Sequence, residues 1–186
     1  MTSFIQLDTN LVRAASSLTE RSHVVAFFTY IAAEVLILVF PVALLALWYQ
    51  PELTSHKHAA RKAVILALMG VVGVLAIKGV ASLLWVRERP FVADPTIFHL
   101  ALNLDQPSFP SGHTMVAVVI AASLLWSGFK KWGIPLSILA VLVALGRVFA
   151  GVHYPSDVVG GALIAIFVAW FLHREAGTLK RYLPDD

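Results

Sequence analysis

Pro110-Ser111-Gly112-His113 stands at the head of one long apolar run, and Arg147, His153 and Asp157 surround the break between two more. Histidine changes charge nearer neutrality than any other side chain, so two of them with different neighbours can act as nucleophile and proton donor. Asp157 follows His153 by four residues. A carboxylate there can accept a hydrogen bond from one ring nitrogen and leave the other as a lone pair aimed at an electrophile. Arginine holds its charge and grips phosphate oxygens through two nitrogens at once, so Arg147 and Arg89, which precedes Pro90, can form a phosphate clamp. Taken singly, each arginine reads first as an interfacial anchor. Ser111 suits a helix N-cap, and the free N–H groups of Gly112 and His113 beyond it make an anion site at the positive end of a helix dipole. Glycine at 112 lets an anion come close to the backbone.

The elements that must position these groups are membrane helices. The chain has 186 residues, 59% hydrophobic and 13% charged, with mean hydropathy +0.80. Soluble domains carry about 25% charged residues, so this is an integral membrane protein. Its apolar runs predict an all-α bundle of five transmembrane helices at 23–49, 62–86, 112–127, 132–150 and 157–173. Ahead of them Phe4, Ile5, Leu7, Leu11, Val12 and Leu18 alternate with Asp8, Asn10, Arg13 and Glu20, the pattern of an amphipathic helix at the interface. Met1 to Glu20 does not read as a signal peptide. The length suits one domain over 1–186, with the chemistry between 78 and 157. A connection from 87 to 111, about 25 residues long, leads into Ser111, and loops of that length are usually functional.

Charge placement sets the orientation. Lys57, Arg61, Lys62, Lys130, Lys131, Arg174, Lys180 and Arg181 fall at one end of the spans, against Arg13, Arg21, Arg87, Arg89 and Arg147 at the other. The first end, where Trp48, Trp126, Trp132 and Trp170 also gather, is therefore expected in the cytoplasm, with the chemistry facing outward. The same topology accounts for the basic pI near 9.4, so no nucleic-acid partner is expected. Without cysteine there are no thiolate metal sites, and no other cluster reads as a metal site or calls for a cofactor.

Arg89-Pro90, then Pro-Ser-Gly-His, then Arg-x5-His-x3-Asp, in that order at helix ends, resembles the signature of the type 2 phosphatidic acid phosphatase superfamily. The match covers helices two to five. The short chain, the run Arg89-Pro90-Phe91-Val92 and Phe109 before Pro110 look most like the undecaprenyl-diphosphate phosphatases linked to bacitracin resistance. The resemblance implies a metal-independent lipid diphosphate phosphatase of the bacterial plasma membrane. In it His153 would attack phosphorus, Asp157 would orient it, and His113 would protonate the leaving oxygen and then help activate water. Arg89, Ser111, Gly112 and Arg147 would hold the phosphoryl oxygens. Phosphatidylglycerol phosphate or phosphatidic acid are the alternative substrates, and a polyprenyl phosphate transporter or lipid-binding scaffold is the non-enzyme alternative. A vanadium haloperoxidase shares the motifs but is soluble.

Two positions depart from the signature. Ser82 stands where it has lysine and Gly146 where it has serine. Arg87 or Lys78 could supply the missing charge, although Lys78 is expected first to pair with Glu34 inside the bundle. His56 and His58 read as solvated, and His99 as a residue with no support for a role beyond its loop.

Overall fold

The computed structural model describes residues 2–49, 57–100 and 106–182, and all regular structure among them is helical. α1 is Thr2–Arg21 and α2 is His23–Tyr49. α3 is Lys57–Leu84, α4 a single turn at Pro90–Ala93, α5 Gly112–Trp126, α6 Lys130–Phe149 and α7 Pro155–Tyr182. Four of them, α2, α3, α6 and the Pro155–Gly177 part of α7, are long and apolar enough to cross a membrane; α5 is a shorter apolar helix. The five expected spans fall on these helices. α7 continues past the expected end at 173 because His173-Arg174-Glu175 contains nothing that breaks a helix. The long connection is not wholly irregular: Pro90 has the fixed φ that suits a first helical position, and α4 begins there.

α5 is the centre of the bundle. It packs against α3, α6 and α7, and buries Thr114, Met115, Val119, Ile120, Ser123 and Leu124. Its 15 residues reach only about 22 Å. α2 is irregular at mid-length, with a π-helical turn at Ile31–Val35 followed by a 3₁₀ turn at Leu36–Leu38. Pro41 explains part of this, since it cannot donate to the Ile37 carbonyl and its ring crowds that group. The π turn carries Glu34 toward the C-terminal end of α6, and such turns recur at functional sites.

α1 packs on α2, α6 and α7. The stripe it turns to them is Asp8, Val12, Ser16 and Thr19, all buried, whereas Phe4, Ile5, Leu7, Leu11 and Leu18 face away. The α3–α5 connection and the α6–α7 turn meet at one end of the bundle: Leu100 N–H donates to the Ala150 carbonyl (3.1 Å), and Ser111 N–H to the Asp157 carbonyl (3.2 Å). At the opposite end, Arg61 lies over Trp48 and Arg174 over Trp170. His56 and Asp105 lie outside the described residues.

Candidate active site

His153 sits on the turn between α6 and α7 and is 2% exposed. The turn depends on Gly151, whose φ is +70° and where a Cβ would lie 2.1 Å from the Phe98 carbonyl oxygen. Nδ1 of His153 is 3.5 Å from Asp157 Oδ2 and 3.5 Å from Ser108 Oγ. Nε2 is 3.3 Å from Arg89 Nη1. Asp157, fully buried, also accepts from Arg87 Nη1 at 2.5 Å, from the Tyr154 N–H at 2.9 Å and from the Ser108 hydroxyl. These partners put the ring proton on Nδ1 and the lone pair on Nε2. Burial, helped by the Arg147 and Arg89 charges and opposed by Asp157, pushes His153 down to about 4, so the ring is neutral at ordinary pH.

Arg89 is held by two backbone carbonyls, Nε donating to Gln106 (3.0 Å) and Nη1 to Val152 (2.9 Å). Burial and the Arg147 charge lower it to about 10, which leaves it charged at neutral pH. Arg147 ends α6 at 1% exposure and donates through Nη1 to the Ala33 carbonyl (3.2 Å) and to Glu34 Oε1 (2.5 Å). Its Nε has no hydrogen-bond partner among the described residues. Glu34 Oε2 is in turn 3.7 Å from His113 Nε2. Arg147 and Arg89 therefore both lie within electrostatic reach of both imidazoles, and Lys78 is within reach of His113.

The structure corrects one expectation and narrows two readings left open. Lys78 does not pair with Glu34: its Nζ donates to Gln106 Oε1 at 2.9 Å, and its stem lies so close to Gly112 that a Cβ there would be 2.9 Å from Lys78 Cε. Arg87 does not serve as a free phosphate ligand, because its guanidinium is committed to Asp157, Ser156 and Asp8. The Ser111 hydroxyl makes no capping bond; it accepts from Thr114 Oγ1 at 3.0 Å, while the head of α5 keeps its free N–H groups. His99 stacks on Phe91, with ring centroids 4.1 Å apart, and has a packing role.

Gly146 has a physical reason. A Cβ there would lie 2.7 Å from the Ala33 nitrogen and 2.8 Å from the Ala32 carbonyl carbon. Serine would push α2 away and with it Glu34, so glycine permits the contact that anchors Arg147. Ser108, Gln106, Glu34 and Asp8 were not readable as site residues. Serine and glutamine in a loop carry no periodic or motif signal, and the approach of α2 to α6 depends on the π turn.

A groove floored by α5 runs between α6 and α7, with a cavity of about 500 Å³ lined by Thr114, Val118, Ala121, Ala140, Ala144 and Ala162 among others. Its upper lining residues sit about one helical turn from the site: Thr114 beside His113, Ala144 below Arg147, Ala162 below Val158. Small side chains keep it open, and hardly a polar atom lines it.

Residues 59–181 match the model of the PAP2 superfamily, a segment that holds Lys78, Arg89, Ser111, His113, Arg147, His153 and Asp157. The chain belongs to the PAP2 superfamily. Among its relatives, the undecaprenyl-diphosphatase BcrC of Bacillus subtilis (strain 168) is 30% identical over 93% of this chain and 86% of its own length. The crystal structure of a transmembrane PAP2-type phosphatidylglycerolphosphate phosphatase from Bacillus subtilis superposes with a TM-score of 0.66. It is 25% identical and covers 98% of this chain and 90% of that one. Aquifex aeolicus LpxE shares the fold, with a TM-score of 0.63 at 24% identity over 89% of this chain and 93% of that one. In this PAP2 chain, Asp8 and Glu34 lie outside the matched segment.

Proposed function

We propose that this PAP2 protein is a lipid diphosphate phosphatase that acts through a phosphohistidine on His153, with undecaprenyl diphosphate as its substrate. The observation that carries the reading is His153 itself. Its Nδ1 is backed by Asp157 at 3.5 Å, and its Nε2 looks toward Arg89 at 3.3 Å. Nε2 forms a bond to the terminal phosphorus while the bond from phosphorus to the bridging oxygen breaks. The electron pair leaves on the lipid monophosphate, which takes a proton from His113. Water then gives a proton to His113 as its oxygen attacks phosphorus. The N–P bond breaks, the pair returns to Nε2, and orthophosphate departs. Arg89, Arg147 and the Ser111-Gly112 head of α5 hold the phosphoryl oxygens and stabilise charge as it develops.

Asp157 favours the positively charged ring of the phosphohistidine. Glu34 Oε2 lies 3.7 Å from His113 Nε2, an ion pair whenever that ring is protonated. The groove supports a substrate with one long hydrocarbon chain: it starts beside the phosphate-binding end and is almost wholly apolar. The lipid interpretation also makes sense of α1, whose apolar residues face away from the bundle, as a helix lying on a membrane would have them. We assign five spanning helices, including α5, and place the site at the outer face of the bacterial plasma membrane with the C-terminus in the cytoplasm.

Phosphate release by the purified protein from lipid mono- and diphosphates in detergent tests the reading. Undecaprenyl diphosphate is expected to have the highest kcat/KM. Likeness to the phosphatidylglycerolphosphate phosphatase favours a second substrate, and preference for phosphatidylglycerol phosphate in the same panel would select it. No release from any of them would refute the enzyme reading.

A further inference from the structure

We propose that Asp8 of α1 is a positioning residue for phosphoryl transfer, acting through Arg87 on the Asp157 carboxylate that orients His153. The proposal rests on the reading of His153 as the nucleophile. Asp8 is 4% exposed although α1 lies at the edge of the bundle. A carboxylate that deeply buried must be paired and hydrogen-bonded, and its partners among the described residues all belong to the site. Arg87 Nη2 donates to Oδ2 at 2.7 Å, the Ser156 N–H to Oδ1 at 3.1 Å, and the Ser156 hydroxyl to Oδ2. The Ser156 N–H is one of the donors that α7 cannot satisfy internally, so Asp8 caps a helix to which it does not belong.

Arg87 stands between two carboxylates. One terminal nitrogen serves Asp8, the other serves Asp157 Oδ1 at 2.5 Å and Ser156 Oγ at 2.7 Å, and the Arg87 Cζ lies 4.0 Å from the centroid of the Tyr154 ring. A planar fork held on both sides fixes the carboxylate it touches. With Oδ1 occupied, Oδ2 of Asp157 is left for Ser108, the Tyr154 N–H and Nδ1 of His153. The contacts Asp8–Arg87–Asp157–His153 thus connect a helix outside the family-matched segment to the attacking atom. α1 is also clipped to the α3–α5 connection by the exposed Arg13–Asp94 pair at 2.5 Å, which touches nothing in the site.

The test is the pH profile of kcat/KM for phosphate release from undecaprenyl diphosphate, with wild type, Asp8→Asn, Arg87→Met, the double variant, Arg87→Lys and Arg13→Gln. The charges acting on His153 are Arg89 from the connection, Arg147 from α6 and Asp157 from α7; Asp8, Arg87 and Glu88 act on neighbouring Tyr154. Removing Asp8's negative charge makes the ring harder to protonate, so Asp8→Asn moves the acid limb to lower pH. Arg87→Met removes a positive charge and moves it to higher pH. The two displacements are opposite in sign, and the double variant returns near wild type. Arg87→Lys keeps the charge but cannot bridge two carboxylates, so kcat falls about tenfold with KM within about twofold and the limb in place. Arg13→Gln leaves the profile unchanged.

Limbs that stay put in both single variants, or move in the same direction, would overturn the proposal. So would an Arg13→Gln profile matching that of Asp8→Asn, which would mean that α1 only needs to be docked. If Asp8→Asn does not fold, Arg87→Met decides alone, by a raised limb or an unmoved one. Failure of wild type to release phosphate from any lipid would remove the nucleophile reading and this proposal together. Normal wild-type turnover with unmoved limbs would remove this proposal only.

Discussion

Asp157→Asn keeps the size of the side chain and removes its charge. In the wild type the Oδ2–Nδ1 separation is 3.5 Å in a fully buried pair. When Nε2 attacks phosphorus, the ring takes on a full positive charge. At that distance and an effective dielectric constant of about 20, a carboxylate favours this charge by about 5 kcal/mol. Losing it slows the chemical step roughly 10³- to 10⁴-fold. Asparagine also turns an amide N–H₂ toward groups that all donate to Asp157: Arg87, Ser108 and the Tyr154 N–H. The assay is phosphate release at saturating undecaprenyl diphosphate in detergent, with helix content by circular dichroism to show that the bundle is intact. A rate within tenfold of wild type in a folded variant would refute the electrostatic role of Asp157.

Because His153 is lowered to about 4, its neutral form persists at every pH above that value. Wild-type kcat/KM, corrected for ionisation of the substrate, should hold down to about pH 5 and fall only toward pH 4; an acid limb near 6.5 would contradict the buried, neutral ring. His113→Ala should lower kcat/KM, which reports the steps up to departure of the leaving group, at least about 100-fold for the lipid diphosphate but much less for an aryl phosphate, whose leaving group needs no proton; equal losses in kcat/KM would deny a general-acid role. Gly146→Ser should lower the melting temperature and raise KM, since its Cβ meets α2 backbone at 2.7 Å; an unchanged melting curve would show that α2 yields freely. Lys78→Met, which removes the ammonium beside Gly112, should raise KM several-fold, and an unchanged KM would exclude a phosphate contact.

The helices were legible because membrane spans announce themselves by length and hydropathy, and no tertiary contact is needed to see them. His113, His153, Asp157 and Arg89, the residues proposed to carry the chemistry, were legible as well, because ionisable groups at the ends of apolar helices have few structural reasons to be there. What the sequence could not convey was pairing. Arg87 and Lys78 are both cations near the signature, and nothing in their spacing says that one faces Asp157 and the other Gly112. Glu34 read as a bundle residue because its partner, Arg147, is 113 positions away, and the two meet only through the π turn and Gly146. Asp8 read as part of a polar face, whereas the stripe containing it is the one that packs inward.

The most direct test of the central claim is to trap the phosphoenzyme. Undecaprenyl diphosphate labelled in its terminal phosphate, mixed with excess enzyme and quenched in alkali, should leave a base-stable, acid-labile label on a peptide containing His153. The label should be absent from His153→Ala. Label on another residue, or full turnover in His153→Ala, would contradict the account.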